Sequence, residues 1–412
     1  MMMYIDPGTG SMLFTVLLGL VGAAVYSARM LWIKLRFKLS GGKAETDAKK
    51  IPIAIFSDDK RYWSIFDPIC RELDKHGVDV VYMTASEDDP GLKNTYEHVK
   101  AEFIGAGNKA FTRLNYLNAT ILFSTTPGLD VYQWKRSKNV DYYIHIFHTA
   151  GEVTRYRLFG IDYYDALMIA GEHQARDIRD IEKFRKLPEK ELVMVGIPFM
   201  DEMAKRLERE GPAPEHPRTV LLAPTWGQSA IFAKHGGGII DTLLKTGYHV
   251  IIRPHPQSFA SEKELMDRLM AEYPESEQLE WNRDTDNFYV LRRSDILISD
   301  FSGVVFDFSL IYDKPVIYTD PNFDLAPYDA FFLDHPLWTF SALPRIGKEL
   351  NDENIHDLKG LIDSCIEDSR YQQGRDEVRR ETWAHFGEGA VRAADYLMQK
   401  YEELTNKEGE SK

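Results

Sequence analysis

Residues 294–318, SDILISDFSGVVFDFSLIYDKPVIY, constrain the fold more than any other stretch, because they combine two apolar runs, a tight turn and a helical pattern. Residues 296–298 form a short apolar run of the kind that is buried in a parallel sheet. The polar turn 299–303 follows, and the helical pattern begins at Val304 and ends before the Lys-Pro pair 314–315. Small hydroxyl residues and a glycine at a helix start leave backbone N–H groups free, and such a site favours phosphate. An ordinary N-cap in a βα turn is the alternative.

A second motif upstream, HVIIRPHPQS at 249–258, has the same organisation. Its apolar run 250–252 predicts another buried strand. This strand delivers Arg253 and His255 to a loop that two prolines stiffen, because proline fixes φ and disfavours helix. Ligands of open α/β sheets bind at the carboxyl ends of the strands. We therefore expect the cationic loop and the helix start to share one sheet edge.

Apolar strands alternate with helical patterns along most of the chain, which indicates parallel sheets covered on both faces. One such series occupies 51–210, and a second occupies 218–342. The segment between them, 208–217 (EREGPAPEHP), is dense in proline and charge and is typical of an interdomain linker. The segment 343–412 is predicted to be helical and is highly charged. We therefore predict an α/β protein with two Rossmann-like domains that face a cleft.

The N-terminal part, 1–40, predicts a membrane anchor. Residues 11–33 are apolar enough and long enough for a transmembrane helix, if Arg29 extends to the interface. A signal peptide is one alternative, but it would need a basic segment before the apolar one. A peripheral amphipathic helix or a buried helix is the other alternative. The C-terminal flank carries a group of cations that puts the body in the cytoplasm, as a single-pass protein of the cell membrane; they are Arg29, Lys34, Arg36, Lys38 and Lys43. Residues 41–50 predict a flexible linker.

The net charge excludes one class of partner. The 412 residues carry 50 basic and 64 acidic side chains, a formal charge of −14, so nucleic acid is not an expected partner. An anionic substrate needs a local basic pocket against this general field. The two cysteines, Cys70 and Cys365, form neither a disulfide framework nor a metal-ligand pattern.

Four motifs together resemble one family. They are similar to motifs of the CDP-glycerol glycerophosphotransferases, which build teichoic-acid-type polyol phosphate polymers. The four motifs are RPHP at 253–256, SDFSGVVFD at 299–307, KPVIY at 314–318 and LLAPTW at 221–226. The resemblance covers about 219–318. It implies two domains in the glycosyltransferase-B arrangement, a CDP-polyol donor and a lipid-linked or glycan acceptor at a membrane. It implies no cofactor.

His148 is the candidate catalytic base. It ends the apolar run 141–148 and enters a glycine-containing loop, a position suited to acid/base chemistry, although a hydrogen-bonded loop histidine is the alternative. The resemblance implies that a histidine here is the base. This chain has His-Thr-Ala-Gly at 148–151 where family members typically have histidine-glycine-threonine-proline. His145, three residues earlier, is predicted to be structural.

The donor-binding candidates belong to the second domain. Arg253 offers a planar fork of donors for phosphate, and His255 is predicted to donate to phosphate and to take part in catalysis. Further candidates are the phosphate-binding Ser299, Ser302 and Gly303, with Asp300, Asp307 and Thr225 as possible additional donor contacts. No metal is predicted at this site, because these cationic and N–H groups already offset the donor's charge.

The predicted reaction is the transfer of a polyol phosphate, such as glycerol phosphate, from the CDP-activated donor to an acceptor hydroxyl, with release of CMP. Two alternatives stay open on the sequence. One is a glycosyltransferase of the same two-domain type that uses a nucleotide sugar. The other is a non-catalytic, membrane-tethered protein that binds a nucleotide, which the unusual segment after His148 keeps open.

Overall fold

The computed structural model describes residues 50–284, 286–300, 302–319 and 325–410. The chain divides into two compact units, Met1–Lys50 and Ile51–Lys412. The anchor prediction for 1–40 and nearly all of the predicted linker 41–50 lie outside the described residues. Within those described ranges, no helix has the length and apolar content that a membrane crossing requires.

The first sheet has seven strands, all parallel, in the order β3-β2-β1-β4-β5-β6-β7. Its central strands are buried along most of their length because helices cover both faces of the sheet. The strands are β1 (Ile51–Ser57), β2 (Val80–Thr84), β3 (Val99–Phe103), β4 (Asn118–Ser124), β5 (Asn139–Ile146), β6 (Ala166–Ile169) and β7 (Glu191–Met194).

The second sheet has six parallel strands in the order β10-β9-β8-β11-β12-β13. The order reverses between β8 and β11, as it does between β1 and β4 in the first sheet, and such switch points are where open α/β sheets bind ligands. The strands are β8 (Thr219–Leu222), β9 (His249–Ile252), β10 (Leu279–Trp281), β11 (Ile296–Ser299), β12 (Val316–Thr319) and β13 (Gly347–Leu350). Two parallel-sheet α/β domains are thus confirmed.

The helices cover both sheets. They are α1 (Trp63–Lys75), α2 (Asn108–Leu114), α3 (Glu172–Arg185), α4 (Pro198–Glu210), α5 (Ile231–His235), α6 (Gly238–Leu244), α7 (Pro256–Ser261), α8 (Lys263–Glu272), α9 (Phe288–Arg292), α10 (Val304–Phe306), α11 (Trp338–Ile346), α12 (Leu358–Glu367), α13 (Arg370–Thr382) and α14 (Gly389–Glu410). A π-helical run, Asp307–Ile311, continues α10. Short 3-10 turns occupy Lys60–Tyr62, Pro90–Lys93, Val153–Arg155, Asp329–Phe332 and Ile355–Asp357.

The C-terminal segment 343–412, predicted to be helical, consists mainly of the helices α12, α13 and α14, but it also contains a strand. It contributes the edge strand β13 to the second sheet, where Gly347 lies so close to β12 that an added Cβ would sit 1.8 Å from the carbonyl oxygen of Val316. Helix α14 then returns to the first domain, and Ala393, Ala394 and Leu397 join the core under the first sheet. A four-residue edge strand is too short to give a clear periodic signal, which is why the sequence indicated helix throughout.

Polar contacts fasten the two domains together. One of them comes from the crossing loop, residues 325–337, which follows the second sheet's β12 and reaches the first domain. There the Asp329 carboxylate accepts from the backbone N–H of Phe159 at 2.9 Å and pairs with Arg185, which also pairs with Asp162. One hydrophobic cluster also contains residues of both domains, such as Met200 and Phe306. These contacts hold the carboxyl edges of the two sheets on either side of one cleft.

Candidate active site

His148 lies two residues beyond the end of β5, and one neighbour fixes its tautomer. The Thr125 hydroxyl, at the end of β4, lies 2.8 Å from the carbonyl oxygen of Ile146 and 2.8 Å from His148 Nδ1. A hydroxyl has one proton, and here it donates that proton to the carbonyl. Thr125 therefore accepts from Nδ1–H, which leaves the lone pair of His148 on Nε2.

The surroundings keep His148 neutral. Burial lowers the pKa of His148 to about 4, and the positive charge of Arg61 adds to the effect. The ring also packs against Tyr62, with ring centroids 4.9 Å apart. A neutral imidazole with a free Nε2 lone pair can accept a proton, so His148 has the state that a general base requires at neutral pH.

His255, in the second domain, has the opposite tautomer. It caps α7, and its Nδ1 accepts from the backbone N–H of Gln257 at 3.1 Å. A neutral ring then carries its proton on Nε2 and can donate from there. Burial lowers the pKa of His255, and Arg61 again contributes. Arg253, half-buried at the end of β9, donates to the side-chain oxygen of Asn282.

The two donor-side motifs lie at the same sheet edge. The loop after β8 separates them: the backbone N–H of His255 donates to the carbonyl of Pro224 at 3.1 Å, and Asp300 accepts from the backbone N–H of Thr225 at 3.0 Å. With one strand between them, β9 and β11 are about 10 Å apart. His255 and Ser302 therefore flank one edge, and their shared pyrophosphate stays a prediction.

Two of the candidate residues, Ser299 and Asp300, are buried in the turn, and a third, Thr225, donates to one of them. Ser299 is fully buried, and its hydroxyl donates to the carbonyl of Ala223 at 2.6 Å, so the structure does not support its prediction as a phosphate ligand. Asp300 is equally buried and also accepts from the N–H of Ile231 at 3.2 Å. Thr225 contributes its backbone N–H to this arrangement. The end of a buried strand keeps Ser299 and Asp300 inside, whereas Thr225, Ser302 and Gly303 are partly exposed.

A cavity of about 440 Å³ joins His148 to the start of α10. Its lining comes from both domains and includes His148, Thr149, Gly303, Asp307 and Tyr328. A Cβ placed on Gly303 would lie 3.6 Å from the Thr149 hydroxyl, so the helix start and the loop after His148 are near contact. Burial raises the pKa of Asp307 to about 7.

A second cavity is larger, about 920 Å³, and lies beside the linker between the domains. None of the candidate site residues lines it. Position at the switch points and convergence of titratable groups identify an active site better than size does, so we place the candidate site at the smaller cavity.

Sequence reasoning missed the loop after β1. Arg61 is exposed and paired with Asp59, their atoms 2.9 Å apart, and its charge acts on both His148 and His255. Asp58, in the same loop, accepts from the Thr126 hydroxyl at 2.8 Å. The available signal was the polar run 57–61 directly after a buried strand that borders the switch point.

Comparison with known structures supports the fold. The wall teichoic acid polymerase TagF, from a crystal soaked with CDPG, matches with a TM-score of 0.57 at 17% identity over 93% of this chain and 99% of that chain. The UDP-GlcNAc 2-epimerase of Methanocaldococcus jannaschii, in complex with UDP-GlcNAc and UDP, matches with a TM-score of 0.52 at 12% identity over 84% of this chain and 99% of that chain.

Sequence comparison gives the family. The teichoic acid glycerol-phosphate primase of Bacillus spizizenii is 23% identical over 259 residues, which are 56% of this chain and 60% of that relative. The chain thus spans less than two thirds of the relative's length. The family model described as CDP-glycerol:poly(glycerophosphate) glycerophosphotransferase matches residues 152–396, more than half of the chain. The chain therefore belongs to the CDP-glycerol:poly(glycerophosphate) glycerophosphotransferase family.

Proposed function

We propose that this protein transfers a polyol phosphate, such as glycerol phosphate, from a CDP-activated donor to a hydroxyl of a membrane-associated or glycan acceptor, in cell-envelope polymer synthesis. One observation carries the proposal beyond family membership. His148, from the first domain, has an Nε2 lone pair, and His255, from the second, has an Nε2–H. In this proposal, the two histidines face the cleft from opposite sides, one as proton acceptor and the other as proton donor.

In this proposal, the acceptor hydroxyl gives its proton to His148 Nε2 while its oxygen attacks the phosphorus that bears the polyol. The bond from that phosphorus to the bridging oxygen breaks, and CMP leaves. Arg253, His255 and the backbone N–H of Gly303 offset the charge on the phosphates. Phosphoryl transfer needs positioning and charge stabilisation more than covalent help, and these groups supply both.

The donor assignment is supported by the names of the proteins that resemble this chain. One similar structure comes from a crystal soaked with CDPG, and the similar primase is named for teichoic acid glycerol phosphate. Nothing in the cleft specifies the polyol. Assay of the purified protein with CDP-glycerol and CDP-ribitol, and in parallel with UDP and GDP sugars, separates this reaction from sugar transfer by the nucleotide released.

The test of the site uses two histidine variants and one control. His148→Ala should lower turnover by about 10²–10⁴-fold and leave donor affinity nearly unchanged, because it removes only the base. His255→Ala should weaken donor binding as well. His356→Ala, on an exposed 3-10 turn, should behave as wild type. Full turnover of His148→Ala with a verified donor would show that the base is another residue, with His145 or Glu152 the next to test.

We further propose that the N-terminal segment anchors the protein in the cell membrane as a single-pass helix, with the body in the cytoplasm beside a lipid-linked acceptor. The cations after the apolar run support this orientation. Deletion of 1–40 should move the protein from the membrane fraction to the soluble fraction, with an unchanged circular dichroism spectrum and melting temperature. Misfolding or aggregation of the truncated protein would show that the segment belongs to the core instead.

A further inference from the structure

A cluster of potential metal ligands lies away from the active site, where the crossing loop meets α3. Asp180 comes from α3, and Asp334 and His335 come from the crossing loop. One ligand atom from each of the three lies within 4.8 Å of the other two. Exposed acidic groups often lie close together without binding an ion, so the cluster alone does not establish a metal site.

The independent observation is Asp177, one helical turn before Asp180. Its side chain is fully buried, and neither carboxylate oxygen has a hydrogen-bond partner among the residues that the structure describes. Its Oδ1 points to the cluster and lies 3.6 Å from His335 Nε2. A buried carboxylate without hydrogen bonds is costly, and such groups in proteins are paired with a cation or coordinate a metal.

The tautomer of His335 is a further reason to expect a cation at the cluster. Its Nδ1 lies 3.1 Å from the backbone carbonyl of Pro336, to which it can only donate. In the neutral ring, Nε2 then presents a lone pair to Asp177 Oδ1 and also to Asp180 Oδ2, which is 3.2 Å away. Three acceptors therefore converge with no proton between them. Metal-bound histidines typically donate their other ring N–H to such a carbonyl or carboxylate.

We propose that Asp180, Asp334 and His335 bind one divalent transition-metal cation beside the buried Asp177 carboxylate, with Zn²⁺ the best fit. Ligand bonds of about 2.0–2.1 Å in a tetrahedron put the ligand atoms about 3.3 Å apart. His335 Nε2 lies 3.2 Å from Asp180 Oδ2 and 3.6 Å from Asp177 Oδ1, near this edge length, and the ligand atoms of Asp180, Asp334 and His335 all lie within 4.8 Å of one another. An imidazole among carboxylates suits Zn²⁺ or Mn²⁺ better than Ca²⁺.

The metal would connect the two domains. Helix α3 belongs to the first domain, and the crossing loop continues from the second sheet. Tyr328, in the same loop, lines the active-site cavity, and Asp329 is already paired with Arg185 of α3. A cation at the far end of the loop would hold that loop against the first domain at a second point, and so maintain the width of the cleft.

The rival explanation is a proton in place of the metal. A doubly protonated His335 would pair with both Asp177 and Asp180, and Arg176, 3.6 Å from Asp177 Oδ1, would add positive charge. The metal and the proton predict different Zn²⁺ affinities, and they predict different melting temperatures for a variant that lacks the Asp177 charge.

The first experiment measures metal binding directly. The full-length protein, stripped with a chelator, is titrated with Zn²⁺ against a chromophoric competitor. We expect one Zn²⁺ per chain, with an affinity at least tenfold lower in Asp177→Asn and His335→Ala. Glu172→Gln, on the exposed side of α3, and His356→Ala should bind as wild type. Equal Zn²⁺ affinity in all five proteins, or no stoichiometric binding in wild type, would overturn the proposal.

The second experiment remains informative if His335→Ala folds poorly. Melting temperatures of wild type and Asp177→Asn are compared with and without saturating Zn²⁺. Without metal, Asp177→Asn should melt at or above the wild-type temperature, because it removes a buried charge; with Zn²⁺, only wild type should gain several degrees. A lower melting temperature of Asp177→Asn at neutral pH, with no Zn²⁺ effect on either protein, supports the proton and refutes the metal.

Discussion

At the scale of single residues, Asp307 couples the stability of the protein to pH. It lies half-buried in the cavity with His148, and burial raises its pKa from the ordinary value of 3.8 to about 7. A group whose pKa is higher in the folded state stabilises the fold below its unfolded pKa, and this contribution is lost as the pH rises through the folded pKa. For Asp307 the window therefore runs from about pH 4 to about pH 7.

Replacement of this carboxyl should remove that part of the pH dependence. Asp307→Asn cannot ionise, so its melting temperature should fall less between pH 5 and pH 8 than that of wild type. Melting curves at several pH values measure the difference, with the exposed Asp241→Asn as the matched control, which should follow wild type. Identical pH profiles for Asp307→Asn and wild type would mean that the carboxylate is hydrated in the cavity.

The sequence predicted which residues lie at the sheet edge, but it did not predict the orientation of their side chains. His148, Arg253 and His255 were predictable because polar residues after buried strands gather at one sheet edge. The direction of Ser299 and the tautomer of His148 were not, because they depend on Ala223 and Thr125, 76 and 23 residues away. Contacts across neighbouring strands leave no local pattern in the sequence.

At the scale of secondary-structure elements, the buried central strands were predictable, whereas the edge strands β3 and β10 were not. The apolar runs of β1, β4, β8 and β11 predict strands that are buried on both faces of the sheet. Strand β3 (VKAEF) alternates apolar and polar residues over only five positions, and β10 has three residues, so the signal in each is short. Both lie at sheet edges, where less burial is required of the sequence.

The close packing of α13 on α11 depends on one glycine. A Cβ on Gly374 would lie 1.8 Å from the carbonyl oxygen of Arg345, so the two helices would have to separate. Gly374→Ala should therefore lower the free energy of unfolding by about 1–3 kcal/mol, as overpacking does. Urea denaturation measures the effect.

The control variant, Gly238→Ala, is expected to have the opposite effect on the free energy of unfolding. Gly238, exposed at the first position of α6, has no atom within 4 Å of an added Cβ. Gly238→Ala should leave the free energy of unfolding unchanged or raise it by up to about 1 kcal/mol, because alanine favours helix. A stabilising Gly374→Ala would show that the helices tolerate a wider spacing than the structure has.

At the scale of the whole molecule, helix α14 makes the two domains interdependent. It leaves the second domain and covers the first sheet with Ala393 and Ala394, both fully buried. The Asp201 carboxylate, from α4, accepts from the indole N–H of Trp383 and from the backbone N–H of Gly389, each at 2.8 Å. We therefore expect residues 51–412 to unfold in one cooperative transition.

A charge under α14 should disrupt both domains together. Ala394→Glu buries an unpaired carboxylate and should lower the free energy of unfolding by about 3 kcal/mol or more. Val391→Glu, on the side of the same helix that is 45% exposed, should change it by no more than about 0.5 kcal/mol. Tryptophan fluorescence and far-ultraviolet circular dichroism should give coincident transitions; two separate transitions in wild type would contradict this coupling.

The return of α14 also sets the order of events during biosynthesis. The ribosome finishes the first sheet roughly 200 residues before it makes the helix that covers one of its faces. Until then, the apolar side chains that will contact Ala393 and Leu397 remain open to water in the nascent chain. The first domain, although synthesised first, can complete its core only late in translation, and holding chaperones should bind the ribosome-bound intermediate more than the released protein.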